Sequence, residues 1–440
     1  QFLRSASGMA TMLLALAACS REESANRGGS APPTSPPGSS RASTTTVGPG
    51  GTFTVPPEST IDEPAATTVL SGDELVVDVQ THLLEYASGT TSGWGDAFPQ
   101  ASCGDDLAAC MGTDAWLDLV LGGSDTAVAV LSAVPVVADP DPLSAEVMQR
   151  AREAAEMLGC VGRVLIQGHA TPTVRELQAA MDAMAATAAQ FDLAAWKAYT
   201  HEGRAWRLDD DVGNAFCEQV RALGQRIICV HKGLGPSAAS PADVGPAAAN
   251  HPDLAFCAYH SGFQTEVTEG PYPGDDEGAN ADGVDRLIAS ARGAGIGPGG
   301  NVYAELGSTW WNLIQRPDEA AHVLGKLLVA LGPDNILWGT DSIWYGSPQS
   351  QIEAFRAFEI TPEFQERFGY PALTADVKAR ILGLNAARLY GIDTATTRCA
   401  LSPDDRRSLR AAFPRPIPHG PTTRAEARAT FAADHPWFRI

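Results

Sequence analysis

The residues of this sequence best suited to chemistry sit at the ends of short apolar runs. Gln80 and His82 close the stretch VVDVQTHLLE (residues 76–85). Lys197, Tyr199 and His201 lie in WKAYTH, His231 ends IICVH, His260 ends FCAYH, and Asp341 follows ILWGT. Neutral imidazoles with a carboxylate suit a borderline-hard cation such as Zn, Mn or Fe, and the same groups move protons near neutral pH. Singly, each has an ordinary explanation: a histidine satisfied by its neighbours, or an aspartate serving a turn or a helix cap. Five of eight strand ends carry such a group, which favours a shared site if the fold brings those ends together.

The elements that must position them follow from periodicity. Strand-like runs are expected at 75–79, 127–134, 163–166, 196–199, 227–230, 255–259, 302–305 and 336–339. Segments of helical period lie between them at 144–158, 173–188, 210–223, 282–292 and 317–331, with a last helix at 374–389 capped by Thr374. Strands alternating with helices imply parallel pairing with crossovers, and eight of them imply a (β/α)₈ TIM barrel, an α/β fold whose strand ends converge on one mouth. No GxGxxG follows the first run, which argues against a dinucleotide fold. Side chains two apart on a strand point the same way, so Gln80 and His82 should share a direction.

The order of His82, VHKG, YHSG and WGTD, closed by NAARLYG at residues 385–391, resembles the amidohydrolase superfamily. Within it the chain is most similar to the amidohydrolase-related branch that includes aminocarboxymuconate semialdehyde decarboxylase, over roughly residues 75–392. The resemblance implies His82, His231 and Asp341 as ligands of one divalent metal, Zn first, with Mn or Fe as alternatives and no second metal. It implies His260 and Asp341 as catalytic residues, His260 acting on the metal-bound water or the substrate carbonyl. A metal ion lowers the pKa of bound water toward about 7. The expected reaction is therefore hydrolysis of an amide, ester or lactone in a small molecule. Nonoxidative decarboxylation of a carboxylate substrate is the alternative reaction. A non-catalytic surface binding protein with a degenerate metal site is the alternative of another class.

Two positions depart from the family pattern. Many members carry His-x-His on the first strand where this chain has Gln80-x-His82, and glutamine offers only a neutral carbonyl oxygen. Gln80 as a weak ligand, water in its place, or loss of the metal all remain open. A fourth-strand lysine in a context similar to WKAYT is carboxylated in binuclear members, so Lys197 is a metal ligand only if carboxylated. It is otherwise a substrate-carboxylate binder or an outward-facing surface residue. Tyr199, His201, Arg204 and Trp344 are further substrate-binding candidates, with Trp310 and Trp311 either walling the mouth or packing long loops. Glu305 could orient a neighbouring ligand.

The rest of the chain bounds the setting. Acidic residues outnumber Lys plus Arg by 52 to 31, a net charge of −21, which opposes binding to nucleic acid or anionic membrane. Residues 1–19 read as an export signal of bacterial lipoprotein type with Cys19 as the lipidated residue, so membrane contact would run only through that terminus. Residues 20–69, rich in Ser, Thr, Pro and Gly, read as a disordered tether, 70–392 as the barrel, and 393–440 as a helical extension with a further helical piece at 423–432. The expected location is the periplasm or cell surface. There Cys103 and Cys110 could pair, while the other cysteines are expected as free thiols, Cys229 and Cys257 as core residues.

Overall fold

The computed structural model describes residues 49–54, 64, 68, 70–85, 111–135, 141–173, 175–201, 206–235 and 239–412. Cys19, Cys103, Cys110, Arg204 and the helical piece expected at 423–432 lie outside the described residues. Eight parallel strands, β1 (Val77–Thr81), β2 (Val128–Leu131), β3 (Val164–Ala170), β4 (Ala195–Ala198), β5 (Ile227–His231), β6 (Ala255–Tyr259), β7 (Val302–Glu305) and β8 (Ile336–Leu337), pair in chain order. The barrel closes between β8 and β1. Val79 N donates to Trp338 O (3.0 Å), Asp341 N to Gln80 O (2.9 Å) and His82 N to Ser342 O (2.6 Å). Two of the helices begin at side-chain caps: the Ser144 side chain accepts from Val147 N ahead of Ala145–Met157, and Asp210 from Gly213 N ahead of Asp211–Ala222.

Two apolar layers hold the fold. A small inner cluster fills the barrel with Val77, Val79, Val128, Val130, Cys229, Cys257 and Tyr259, and a larger one packs the helices on the outer strand faces. Strict alternation from Val77 and Val79 would aim Thr81 into the barrel. Instead the register of β1 against β2 slips between Asp78 and Thr81, and Gln80 and His82 both reach Asp341. An extra residue in one strand re-aims the side chains that follow it.

The helix expected at 374–389 is interrupted. Ala375–Ala379 and Asn385–Tyr390 flank a π segment, Arg380–Leu384, in which Ile381 O accepts from Trp338 N of the β8 end (3.0 Å). Asn385 of the NAARLYG motif donates to Pro333 O and Ile336 O, both at 2.8 Å, so this motif seats the last strand.

Two expectations are corrected. Part of the segment expected as disordered tether is ordered: Gly51–Phe53 pairs antiparallel with Phe358–Ile360. Phe53 packs edge-on against Phe358 at 5.2 Å, and Gly50 approaches Phe364 more closely than any Cβ would allow. Cys160 and Cys399, expected as free thiols, form a disulfide across 239 residues of sequence. It fastens the segment after the barrel to the turn before β3. The helix Pro403–Ala412 packs against residues 113–121, Arg406 and Arg410 both binding the buried Asp118 (2.8 and 3.0 Å).

Candidate active site

At the C-terminal ends of the strands the described residues gather two groups of side chains. In the first, His82 Nδ1 lies 2.6 Å from Ser132 O, an acceptor only, so Nδ1 carries the proton. His82 Nε2 lies 2.8 Å from Asp341 Oδ1, an ion-pair distance, with Trp344 stacked on the imidazole at 5.2 Å. Gln80 Nε2 donates to the same carboxylate oxygen (2.8 Å), and Ser308 Oγ donates to Asp341 Oδ2. Gln80 Oε1 is buried and has no hydrogen-bond partner. Burial pushes the Asp341 carboxyl up, but the His82 contact, the nearby His260 and the Ser308 hydroxyl outweigh it and bring it down to about 2.

The second group is a histidine pair. His260 Nδ1 faces Gly307 O (2.7 Å) and so donates, leaving Nε2 to accept from His231 Nδ1 at 3.0 Å. Burial lowers His260 to about 4 and holds His231 well below its ordinary value, so both are neutral at pH 7. This arrangement occupies both nitrogens of His260 and leaves His231 Nε2 open. Glu305 lies beneath, accepting from His260 N (3.0 Å) and Gly307 N (2.6 Å), and burial raises its carboxyl well above the usual range. Gly339 leaves the space that Glu305 and Gln80 fill; a Cβ there would fall 1.7 Å from Glu305 Oε1.

The backbone at the mouth is unusual. The non-glycine residues with left-handed backbone among those described are Leu234, His260, Ser261, Ser308 and Asp341, all just past strand ends. Such conformations cost of order 1–3 kcal/mol each and persist where the surroundings over-determine them.

Lys197 is not the outward-facing residue that one reading of the sequence allowed. It is wholly buried in the barrel, Nζ 3.7 Å from the Tyr259 ring centroid and 4.9 Å from that of Tyr199, with no hydrogen-bond partner. Burial lowers it to about 8. Tyr199 is buried, its hydroxyl donating to Ala133 O (2.8 Å), and its ring meets His231 at 5.3 Å and His201 at 5.8 Å. Trp310 packs against Phe355 and Phe358 and serves the core, whereas Trp311 stacks on Tyr345, whose hydroxyl meets Ser308 Oγ at 2.7 Å. Reading the sequence missed His169, because the third run was ended at Ile166 while β3 continues to Ala170. The signal was there: QGHA extends an apolar run with a histidine two residues past Gln167, itself in the barrel against Tyr259. Ser308 carried no signal, since only its left-handed turn aims it at Asp341.

The donor chemistry can be tested against a divalent cation. Ligand distances of about 2.0–2.2 Å leave neighbouring donors about 3 Å apart. With an ion in place of the proton between them, His82 Nε2 and Asp341 Oδ1, 2.8 Å apart, would meet that spacing, and Nδ1 is tied to a carbonyl as metal-ligating histidines usually are. Rotation of the Gln80 amide would bring a carbonyl oxygen to the same point. His231 is turned onto His260 instead, and no three His, Cys, Asp or Glu side chains among the described residues stand close enough to share one ion. His82 and Asp341 with Gln80 therefore fit a cation; the set containing His231 is not assembled.

The family model described as amidohydrolase matches residues 77–392. The chain belongs to the amidohydrolase family. Members of this superfamily are enzymes acting on small molecules, and they generally bind divalent metals. No curated protein matches the chain significantly. Among solved structures it is similar to an uncharacterised TIM-barrel protein from Bordetella bronchiseptica (15% identity, 72% of this chain and 99% of that one, TM-score 0.44). It is also similar to 5-carboxyvanillate decarboxylase from Novosphingobium aromaticivorans, complexed with manganese and 4-hydroxy-3-methoxy-5-nitrobenzoic acid (10%, 72% and 96%, TM-score 0.42). A third is dihydroorotase from Saccharomyces cerevisiae in complex with 5-fluoroorotic acid (11%, 74% and 86%, TM-score 0.39).

Proposed function

We propose that this amidohydrolase-family chain is a metal-dependent hydrolase of an amide, ester or lactone in a small molecule. The observation that carries the reading is His82 Nε2, held 2.8 Å from Asp341 by the Nδ1 bond to Ser132 O. His82 and Asp341, with the Gln80 carbonyl, would hold one divalent ion, Zn first and Mn or Fe as alternatives. When bound, such an ion supplies Lewis acidity toward a carbonyl and toward water. The chain's own part is to fix and move protons. Asp341, kept ionised by its partners, anchors the His82 imidazole and the Ser308 hydroxyl. His231, neutral and open at Nε2, can take a proton from water, with His260 orienting it through Nδ1. His260 is thus a positioning residue in this arrangement rather than the group that meets the carbonyl.

Nonoxidative decarboxylation is the second reading, and the buried, unpartnered ammonium of Lys197 favours it, since it could hold a carboxylate. We further propose that the protein is exported and lipid-anchored through Cys19. The Cys160–Cys399 disulfide supports an oxidising compartment. Among the described residues no helix is long and apolar enough to cross a membrane.

The deciding experiment measures metal content of the purified chain alongside hydrolysis and CO₂ release on amide, lactone and hydroxybenzoate panels. About one metal per chain, lost in His82→Ala, with acid release from the hydrolysable substrates, is expected. CO₂ release alone would move the assignment to decarboxylase. Absence of stoichiometric metal together with tight ligand binding would make the chain a binding protein.

A further inference from the structure

Three buried polar atoms without partners surround one aromatic ring. His169 meets the Tyr199 ring edge-on at 5.7 Å, His201 does so at 5.8 Å, and Lys197 Nζ lies 4.9 Å from its centroid. His169 Nε2, His201 Nδ1 and Lys197 Nζ are all buried without a hydrogen bond. They come from neighbouring strands: His169 and Lys197 are register partners across β3 and β4, and His201 lies just past the β4 end. The framework is fixed, with Tyr199 Oη tied to Ala133 O and Tyr259 Oη to Val79 O at 2.6 Å.

Folded proteins satisfy nearly all buried polar groups, and an unpaired one costs about 1–3 kcal/mol, more when charged. Three at one place, one of them an ammonium buried on all sides, mark a site whose complement comes from outside the chain. The ammonium calls for a complement that accepts hydrogen bonds and carries negative charge, and each neutral imidazole can donate to it in the matching tautomer. The nearby groups able to carry negative charge make no hydrogen bond to Nζ: Asp341 is engaged by His82, Gln80 and Ser308, Glu305 accepts two backbone amides and is pushed toward its neutral form by burial, and Cys229, the register partner of Lys197, has its Sγ against Gln167 Nε2 (3.3 Å) and Tyr390 Oη (3.5 Å). One ammonium with two imidazoles matches a planar monoanion better than a phosphate dianion.

We propose that Lys197, His169 and His201 form a subsite for a carboxylate group of the substrate, deep to the His82–Asp341 pair. This rests on the reading of that pair as the reacting end of the site and adds that the substrate is an acid. It holds for both reactions considered, as the retained carboxylate of a hydrolysed acid or as the group presented for decarboxylation.

The test is calorimetric titration of the full chain, metal-loaded and chelator-treated, with benzoate and with neutral benzamide. Benzoate should bind in both states and benzamide in neither. Lys197→Met should weaken benzoate at least about tenfold, and the double variant His169→Asn, His201→Asn several-fold. Lys197→Met removes an unpaired buried charge, so its melting temperature should hold or rise. If it fails to fold, the double variant gives the reading. Benzoate affinity unchanged in both variants overturns the subsite, as does conversion of Lys197 to a carbamate by ¹³C-bicarbonate in the resting protein. Benzoate binding that needs Lys197 in a chain that never takes up metal overturns the hydrolase assignment and leaves the subsite standing. Benzoate binding only to loaded protein and indifferent to Lys197 overturns the subsite alone.

Discussion

The two ends of the barrel solve opposite problems. At the mouth, five non-glycine residues hold left-handed backbone, and Gln80 Oε1, His169 Nε2, Lys197 Nζ and His201 Nδ1 are buried without partners. At the other end, among the described residues, several groups are fastened, though Arg356 Nη2 and Thr126 Oγ1 are unpartnered there too. Cys160 is bonded to Cys399, Asp118 holds Arg406 and Arg410, and Asp125 holds Arg356 and Arg398, with Glu74 also on Arg356. Backbone strain is concentrated where ligands bind in such barrels and the disulfide lies where they do not, while buried ion pairs stand at both ends, Lys232 with Asp243 at 2.7 Å just past His231 among them. The contrast locates the site without reference to any relative.

That contrast can be broken most forcefully at Asp341. Asn tolerates the left-handed backbone there, so Asp341→Asn should fold with nearly unchanged melting temperature yet lose activity about a thousandfold, with metal content falling in parallel. A large drop in stability with activity retained would make the mouth a structural feature. The converse test is Cys160→Ser with Cys399→Ser. Unfolding in denaturant should show a loss of about 2–5 kcal/mol, while kcat and KM at 25 °C stay within about twofold. Altered kinetics there would mean that the two ends communicate.

A smaller effect separates the ends by pH. His169 has a folded pKa brought down to about 4 by burial and by Lys197, against an ordinary 6.5. Below 6.5 the unfolded chain binds the proton first, so the stability held by the neutral ring is complete above 6.5 and lost as pH falls toward 4. His169→Asn should therefore lose about 1–2 kcal/mol less than the parent chain between pH 7 and pH 5. Equal losses would place that imidazole in solvent. The smallest expected change is at Gln80: Gln80→Glu adds a charged oxygen beside His82 and should tighten metal binding about tenfold by competition titration. No change would remove position 80 from the cation site.

Much of this was legible in the sequence, for identifiable reasons. Alternation of apolar runs with amphipathic segments gave all eight strands, because a parallel barrel buries each strand on both faces. Gln80, His82 and Asp341 were legible as partners because residues at strand ends in a barrel must converge. What the sequence withheld depends on single backbone torsions and on distant pairings. The slip after Asp78, the left-handed turns at Ser308 and Asp341, and the turning of His231 onto His260 rather than toward His82 are decided by neighbours in space. Lys197 could be read as surface or interior until the register with Cys229 fixed it inward. The pairing of Cys160 with Cys399 spans 239 residues, a distance over which spacing carries no information.

The seam that closes the barrel has a consequence for how this protein could change over time. Its main-chain hydrogen bonds are made by the amides and carbonyls of Val79, Gln80, His82, Trp338, Asp341 and Ser342, and the Asp78 carboxylate adds bonds from Thr340 N (3.1 Å) and Thr340 Oγ1. The strands meet through main-chain atoms of the same short segments whose side chains form the candidate site. Side chains at 80, 82 and 341 can therefore be exchanged for new chemistry while the main chain goes on closing the ring, provided position 341 accepts a left-handed turn. A lineage could pass from imidazole to amide at position 80 and back without ever opening the barrel.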